Sequence, residues 1–308
     1  MKKPDIVVIG SSNTDMIIRA ERIPKPGETI LGGRFLTAHG GKGANQAVAA
    51  SRAGGQVTFV ARVGSDVFGD EAISAWRSDG ISVEHVSRDA MAPSGVALIF
   101  VSKKGENSIA VAPGANGELS VSDVGAARDA MASAKVCVIQ LETPLATVEA
   151  AAKLATELGV RVILNPAPAR ALPARLLKNV SVLTPNESEA ELLTGIAVRD
   201  VASAKKAAAA LLAKGVRTVV LTLGSRGALI ADRDGSRMVP GFKVKAVDTT
   251  AAGDVFNGAL AVALAEGQSL DDAVRFANAA AALSVTKAGA QPSAPRRLAI
   301  KILAKKGE

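Results

Sequence analysis

The chain of 308 residues contains one cysteine, two histidines and no tyrosine, and aromatic residues make up only 3% of it. A single cysteine excludes a disulfide framework and a metal site built from cysteines. Cys137 lies within an apolar run, which predicts a buried core residue. With so few aromatic side chains, the core has to be built mainly from Ala, Val, Leu and Ile.

Long apolar runs are also missing, since none approaches the roughly 18 residues that a membrane span requires. The opening residues, Met1 to Asp5, pass directly into a short strand-like run, whereas a secretory signal needs a longer apolar region and a cleavage site. We therefore expect a cytoplasmic protein without a membrane partner. A Gly-x-Ser-x-Gly nucleophile elbow is absent too, which argues against a Ser-His-Asp hydrolase.

The formal charge of +8 comes from basic residues that are scattered along the chain, with the densest group between Lys301 and Lys306. A nucleic-acid-binding protein usually adds aromatic-rich basic strands or zinc-finger spacing, and neither is present. We therefore predict no nucleic-acid partner. The positive charge is suited to attracting a small anionic substrate such as a nucleotide.

Short apolar runs alternate with segments of helical periodicity over most of the length. The predicted strands are residues 6–9, 57–63, 136–141, 160–164, 180–183 and 216–223, and the clearest predicted helices are residues 145–158 and 201–213. Buried strands that alternate with helices indicate an α/β fold with a mostly parallel central sheet flanked by helices on both faces. From residue 252 to residue 303 the pattern is mainly helical.

Ligands bind beyond the carboxyl ends of the strands in such a sheet. Polar or glycine-containing segments follow five of the predicted strands directly, at 10–13, 142, 165–166, 184–187 and 224–227. We expect these segments to share one rim of the sheet.

Two segments, residues 16–38 and 94–111, have strand-like stretches without a following helix. Residues 103–107 predict a hairpin turn between two of these strands. The two segments therefore predict a small separate sheet, which could serve as a lid over the rim, as an oligomer surface, or as a meander that extends the main core.

The most informative stretch is VDTTAAGDVFNGA, residues 247–259, in which small residues open into a helix and Asp254 stands at the junction. Backbone N–H groups of Ala251, Ala252 and Gly253 could approach a ligand closely. The start of a helix favours negative charge, so the site suits a phosphate group, and the acid beside it could accept a proton. The alternative is a simple helix cap.

The glycine-rich stretch HGGKGANQ, residues 39–46, resembles a phosphate-binding loop but fits neither the P-loop nor the dinucleotide-binding pattern. Lys42 is followed by Gly43 rather than Ser or Thr, and Leu36 occupies the place of the first glycine. What remains is a glycine-rich turn before a helix, with Lys42 and Asn45 able to face a polar ligand. The alternative is an ordinary surface helix start.

Two further pairs of polar residues follow strands. Asn13 and Asp15 are two residues apart in extended chain and therefore face the same way, where they could hold adjacent sugar hydroxyls. The alternative, which the two residues by themselves favour, is an Asx-type turn after the strand. Asn186 and Glu189 begin a helix, either as ordinary first-turn residues or to arrange Mg²⁺ and phosphate through water.

These motifs together resemble the ribokinase-type (PfkB) carbohydrate kinase family over nearly the whole chain. The matching segments, in the order of the family, are GSSNTD (10–15), PGET (26–29), GGKGANQA (40–47), GVALI (95–99), QLE (140–142), NPAPA (165–169), TPNE (184–187), TLGSRG (222–227) and the 247–259 stretch. The absence of tyrosine departs from known members but affects none of these motifs.

The resemblance implies a single ribokinase-like domain over residues 1–308, with a small β-sheet lid formed by segments at about 14–38 and 94–112, and a homodimer through that lid. It implies transfer of the ATP γ-phosphoryl group to the 5-hydroxyl of D-ribose, with Asp254 as the base. Ala251, Ala252 and Gly253 would stabilise the transferring phosphoryl group.

The remaining site residues are also implied by the resemblance. The sugar would be held by Asn13, Asp15, Gly41, Lys42, Gly43, Ala44, Asn45, Glu142 and Asp254. The nucleotide would be lined by Asn186, Thr222, Leu223, Gly224, Ser225, Arg226, Gly227, Gly253 and Asn278. An activating K⁺ would lie among Asp248, Thr250, Ser284, Lys287, Gly289 and Ser293, mostly on backbone carbonyls, and Glu189 would meet Mg²⁺ through water.

Two alternatives stay open. A related kinase could act on 2-deoxyribose, another sugar or a nucleoside, because one changed pocket contact can alter the preferred substrate. A non-catalytic regulator could also use this fold. The intact Asp254 loop argues against the regulator.

Overall fold

The computed structural model describes residues 5–306, so the predicted opening at residues 1–4 and the ends of the predicted domain lie outside the described part. The strands within this part are β1 (Asp5–Ile9), β2 (Asn13–Ala20), β3 (Arg34–Gly40), β4 (Gln56–Gly64), β5 (Ser82–Asp89), β6 (Gly95–Ser102), β7 (Asn107–Ala112), β8 (Val136–Ile139), β9 (Arg161–Leu164), β10 (Val182–Leu183), β11 (Thr218–Thr222), β12 (Gly227–Asp232) and β13 (Gly235–Pro240).

The helices are α1 (Lys42–Ala53), α2 (Val67–Ser78), α3 (Val121–Ala126), α4 (Arg128–Ser133), α5 (Leu145–Glu157), α6 (Ala174–Leu177), α7 (Glu187–Thr194), α8 (Val201–Ala213), α9 (Ala252–Ala265), α10 (Leu270–Ser284) and α11 (Arg297–Lys305). Short 3₁₀ turns cover Gly114–Glu118, Gly224–Arg226 and Gln291–Ser293. None of these helices combines the length and the hydropathy of a membrane span within residues 5–306.

The larger sheet has nine strands in the described chain, in the order β13-β12-β11-β10-β9-β8-β1-β4-β5. The strands from β11 through β5 run parallel, while β12 and β13 are antiparallel to their neighbours. The mostly parallel sheet flanked by helices is therefore confirmed. Because parallel strands end at the same edge, the polar segments after β1, β8, β9, β10 and β11 share one rim.

Side-chain alternation along β1 divides the core between the two faces of this sheet. Ile6 and Val8 belong to one hydrophobic cluster, whereas Val7 and Ile9 belong to the other. Cys137 lies fully buried in β8, where desolvation raises the pKa of its thiol to about 12, so the prediction of a core cysteine is confirmed.

Three strands were not predicted. The edge strand β5 has the sequence SVEHVSRD and lacks an apolar run, because it is only partly buried. Strands β12 and β13 form a hairpin directly after the 224–226 turn. The sequence analysis placed this turn at the rim but predicted no hairpin after it. Several predicted strands are also shorter in the structure, and the run at 180–183 becomes Val182–Leu183.

The second sheet has four strands within the described residues, in the order β3-β2-β6-β7. The pair β2 and β6 is parallel, and the other neighbours are antiparallel. The predicted separate sheet and the hairpin turn between β6 and β7 are confirmed. Its strands fall close to the predicted segments at 14–38 and 94–112, while the role of a lid and the assignment of one domain stay predictions.

Helices α1 and α9 cross at a glycine. A Cβ atom on Gly258 would lie 2.7 Å from the Ala49 Cβ, from the Ala50 nitrogen and from the Gln46 carbonyl oxygen. Only hydrogen at this position lets the two helices approach so closely. The crossing places the first turns of α1 and α9 side by side at the rim.

We expect Gly258→Ala to lower the free energy of unfolding by about 1–3 kcal/mol, because the added methyl group overpacks the crossing. Urea denaturation of the purified chain measures this loss. Gly125→Ala in α3 is the matched control, since no atom lies within 4 Å of its added Cβ. A Gly258→Ala chain as stable as the control would contradict the close crossing.

Candidate active site

Asp254 lies in the first turn of α9 and is only 5% exposed. The preceding Ala251 has a φ of 58° and is the sole non-glycine residue with positive φ between residues 5 and 306. This left-handed conformation turns the chain sharply into the helix. Within the same described range no side chain caps α9, and Gly253 opens onto free space. The start of α9 is thus free to meet an anion.

One of the three N–H groups that could bind a phosphoryl group already has a partner within the loop. Ala252 donates its N–H to the Thr249 carbonyl at 3.2 Å. An incoming phosphoryl group would compete with this bond. The role of Ala251, Ala252 and Gly253 as phosphoryl-binding donors stays a prediction.

Two amides from α1 hold the Asp254 carboxylate. The Asn45 Nδ2 donates to Oδ2 at 3.0 Å, and the Gln46 Nε2 donates to Oδ1 at 2.9 Å. A carboxylate only accepts, so the group of Gln46 that faces it has to be the NH₂. The opposite Oε1 of Gln46 then accepts from the Gln140 Nε2 at 2.7 Å. The Asp254 carboxylate is therefore oriented by a buried chain of amides, and its role as the base stays a prediction.

This chain of amides continues behind the loop. Gln46 also donates to the Asn165 Oδ1 at 3.1 Å. Farther along, Thr184 donates to the Asn257 Oδ1 at 2.7 Å, and the Asn257 amide donates to the Gly253 carbonyl at 2.8 Å. Gln46, Gln140, Asn165, Thr184 and Asn257 all stand within recognised motifs, but sequence reasoning gave none of them a role.

Glu142 follows β8, and its carboxylate holds the start of α1 by hydrogen bonds. It accepts from the Ser11 hydroxyl at 2.5 Å and from the Lys42 backbone N–H at 3.0 Å. The N–H groups of Gly43 and Ala44 bond to the side chain and the carbonyl of Ser11 respectively. Gly43 and Ala44 thus hold the β1–β2 loop through their N–H groups, and their part in sugar binding stays a prediction.

Opposite charges meet in this cleft. Burial raises the pKa of the Asp254 carboxyl, while the Lys42 ammonium and the amides of Gln46 and Asn45 oppose that rise. Burial lowers the pKa of the Lys42 ammonium, but attraction from Asp254, Glu142 and Glu189 outweighs it and the net shift is upward. Lys42 therefore stays charged among three carboxylates.

Asn13 and Asp15 begin β2 and lie beside this cluster. The Asp15 carboxylate packs so closely on Gly40 that a Cβ there would overlap it. Burial, then repulsion from Glu142 and Asp254, raises the pKa of the Asp15 carboxyl to about 6. Gly41 has a φ of 87°, and a Cβ there would lie 2.6 Å from the Ser12 Cα.

Asn45 carries a buried acceptor without a partner in the described chain, its Oδ1. An unpaired buried oxygen costs free energy unless a ligand hydroxyl donates to it. The predicted sugar residues Asn13, Asp15, Lys42, Asn45, Glu142 and Asp254 are thus brought together around one polar cleft.

The predicted nucleotide residues lie at the adjoining part of the rim. Thr222 ends β11, and the turn Gly224–Arg226 follows it. The Arg226 guanidinium pairs with Glu187 at the start of α7. Both N–H groups of Asn278 are used on the Val239 and Pro240 carbonyls at 3.2 Å, so its contact with a nucleotide stays a prediction.

Asn186 and Glu189 form a capping box at the start of α7. The Asn186 Oδ1 accepts from the Glu189 N–H, and the Glu189 Oε2 accepts from the Asn186 N–H, both at 2.8 Å. The helix-start interpretation is therefore confirmed. Glu189 is nevertheless buried, and burial raises the pKa of its carboxyl while Lys42 opposes this rise. It faces the charged cleft, and its contact with magnesium stays a prediction.

The predicted potassium residues are partly assembled. The Asp248 carboxylate accepts from the Thr250 N–H and from the Gly289 N–H, both at 2.9 Å. Lys287 donates its N–H to the Ser284 carbonyl at 3.0 Å. Ser293 is buried in the 3₁₀ turn Gln291–Ser293 and donates to Ala290. The structure therefore brings Asp248, Thr250 and Gly289 together, and a potassium ion among the predicted residues stays a prediction.

The sequence matches the model of the pfkB family carbohydrate kinases over residues 3–297. The chain belongs to this family. In this carbohydrate kinase Asp254, the glycine-rich start of α1 and the polar cleft occupy the same rim of the parallel sheet, which is the edge where ligands bind in such folds.

Relatives of this family member include two kinds of kinase. The ribokinase of Haemophilus influenzae is 48% identical, over 95% of this chain and 95% of the relative. The deoxyribokinase of Salmonella typhi is 40% identical, over 94% and 95%. The structure of Arabidopsis thaliana ribokinase complexed with ribose and ATP has a TM-score of 0.92 at 34% identity and covers 99% of each chain.

We expect Asp15→Asn to raise the free energy of unfolding at pH 7.5 by about 1–2 kcal/mol. The pKa of Asp15 is higher in the folded chain than its ordinary 3.8, so the folded state binds this proton more tightly. Protonation of Asp15 therefore stabilises the folded state. This stabilisation is complete below about pH 4 and is lost as the pH rises through 6.

Urea denaturation at pH 7.5 and pH 4 measures this difference, which should shrink at the lower pH. Asp234→Asn is the control, because its side chain is 78% exposed in the β12–β13 turn. An equal gain at both pH values, or a loss at pH 7.5, would show that Asp15 is not held in an unfavourable charged form.

Proposed function

We propose that this chain phosphorylates the 5-hydroxyl of D-ribose with ATP and yields ribose 5-phosphate. The observation that carries the proposal is the Asp254 carboxylate, buried at the uncapped start of α9 and held by Asn45 and Gln46. The named ribokinases among its relatives support ribose as the sugar.

In this mechanism Asp254 accepts the proton of the attacking hydroxyl. The hydroxyl oxygen forms a bond to the γ-phosphorus, and the bond from that phosphorus to the bridging oxygen of ADP breaks. Because burial raises the pKa of the Asp254 carboxyl, it is a stronger base than an exposed aspartate. The two amides of α1 hold the carboxylate in position during this transfer.

Lys42 and the start of α9 supply the positive charge. The Lys42 ammonium is drawn toward Asp254 and Glu142, and it would compensate the negative charge that gathers as the phosphoryl group moves. The exposed Gly253 leaves room for the phosphate to approach the helix.

The sugar would lie between Asp15, Glu142 and Asn45. Asp15 and Glu142 accept hydrogen bonds from hydroxyl groups, and the unpartnered Asn45 Oδ1 offers a further buried acceptor. A polyhydroxyl ligand suits these groups, since each of its hydroxyls can both donate and accept.

The residues also fit the two ions that the family implies. Within residues 5–306 no group of three His, Cys, Asp or Glu side chains could hold a metal ion. Mg²⁺ would thus be held mainly by phosphate and water, with Glu189 contacting it through water and the ion neutralising phosphate charge. The oxygen donors near Asp248 and Gly289 suit K⁺, which would stabilise the α9 loop.

We further propose that the enzyme is cytoplasmic and forms a homodimer through the small sheet. The same sheet would also close over the sugar as a lid. The register places Phe35 and Leu98 on one face, and they are 59% and 50% exposed. Ile109 and Val111 on the other face are 55% and 51% exposed. A second copy of the chain that packs on the small sheet would cover exposed apolar side chains of this kind.

A coupled assay of ATP consumption over ribose, 2-deoxyribose, other pentoses and nucleosides tests the function. We expect the highest kcat/KM with ribose, because Asp15 and Asn13 suit adjacent hydroxyls. The deoxyribokinase of Salmonella typhi makes 2-deoxyribose the second candidate. A clear preference for 2-deoxyribose would reject ribose as the substrate, and turnover of neither sugar would reject the proposal.

We expect Asp254→Asn to lower kcat by about 10²–10⁴-fold, the range for loss of a general base. The amide keeps the shape of the side chain, so ribose and ATP should still bind, as calorimetry can show. The exposed Asp234→Asn again serves as the control and should keep its turnover. Near-normal turnover of Asp254→Asn would remove Asp254 from the role of base.

A further inference from the structure

Asn116 is a buried polar residue to which the sequence assigns no role. It is 2% exposed and lies in the 3₁₀ turn Gly114–Glu118, which follows the last strand of the small sheet. Its Oδ1 accepts from the Ser12 N–H at 2.8 Å. Its Nδ2 donates to the Ser12 carbonyl and to the Asn13 Oδ1, both at 2.8 Å.

The backbone of Ser12 sets the orientation of both amides. A backbone N–H only donates and a carbonyl only accepts, so the Asn116 atoms that face them have to be Oδ1 and Nδ2 respectively. The second N–H of Nδ2 then requires an acceptor on Asn13, which has to be Oδ1. The Asn13 NH₂ is thereby turned the other way, and among the described residues it has no hydrogen-bond partner.

We propose that Asn116 is a positioning residue for sugar recognition, which fixes the Asn13 amide so that it offers N–H donors to a sugar hydroxyl. The proposal rests on the proposed sugar kinase function. Asp15, two residues along β2, offers an acceptor on the same side. A hydroxyl oxygen can then accept from Asn13 while hydroxyl protons are donated to Asp15.

The space for this contact depends on Gly95. Asn13 pairs with Gly95 across β2 and β6, and a Cβ on Gly95 would overlap both the Asn116 Nδ2 and the Asn13 Oδ1. The contact therefore joins the first residues of β2 and β6 to the segment after β7. It lies where the small sheet meets the large one.

Asn116→Asp removes the donor with little change in shape, since a carboxylate cannot donate to the Ser12 carbonyl or to the Asn13 Oδ1. We expect the Kd and KM for ribose to rise about 10-fold, the loss typical of a buried hydrogen bond, with the KM for ATP unchanged. Calorimetry with ribose and steady-state kinetics measure both. Asn179→Ala, which removes an amide bonded to the Arg175 carbonyl far from the rim, is the control.

A double-mutant cycle separates positioning from general damage. If Asn116 acts through Asn13, adding Asn116→Asp to Asn13→Ala should change the Kd for ribose less than 2-fold, well below the tenfold loss in the parent. An equal loss in both backgrounds, or a rise in the KM for ATP, would overturn the proposal.

Gly95→Ala keeps Asn116 and crowds the contact, so it provides a second route if Asn116→Asp does not fold. It should raise the Kd for ribose in the parent and not in the Asn13→Ala chain. A Gly95→Ala chain with unchanged ribose binding would overturn the proposal. A parent chain that neither binds nor phosphorylates ribose would instead reject the proposed function.

Discussion

The burial of one carboxylate, Asp254, is the constraint on which the rest of the site depends. An ionised carboxylate taken out of water is costly unless donors replace its hydration. Asn45 and Gln46 supply those donors from α1, and they reach Asp254 only because Gly258 lets α1 and α9 cross closely. The helix crossing, the amide chain and the position of the Asp254 carboxylate are therefore one arrangement.

The same cleft holds several carboxylates close together, which lowers the stability of the folded chain. Asp15, Glu142 and Asp254 repel one another, which is visible in the raised pKa of Asp15. Lys42 relieves part of this repulsion. Such a cluster is unfavourable in an empty site, and in our proposal the hydroxyl groups of the sugar donate to it, as expected where function outweighs stability.

The small sheet contributes Asn13 and Asp15, which we propose bind the sugar, to a cleft that otherwise lies on the rim of the large sheet. These two residues belong to β2, whereas Asp254, the proposed base, belongs to α9 on the large sheet's rim. Asn116 ties the beginning of β2 to the end of β7 and, in our proposal, sets which atoms of Asn13 the sugar meets. The position of the small sheet and the orientation of one amide are therefore linked.

The sequence by itself determined the alternating strands, the separate small sheet and the rim motifs. It also placed Asp254 where a loop of small residues becomes a helix, because periodicity and loop composition are local properties. It did not predict the edge strand β5, whose polar sequence lacks an apolar run, or the hairpin of β12 and β13. Only the tertiary structure decided the partners of Gln46, Asn165 and Asn116. Each bonds to groups far away in the chain, and the polarity of those groups sets the orientation of each amide.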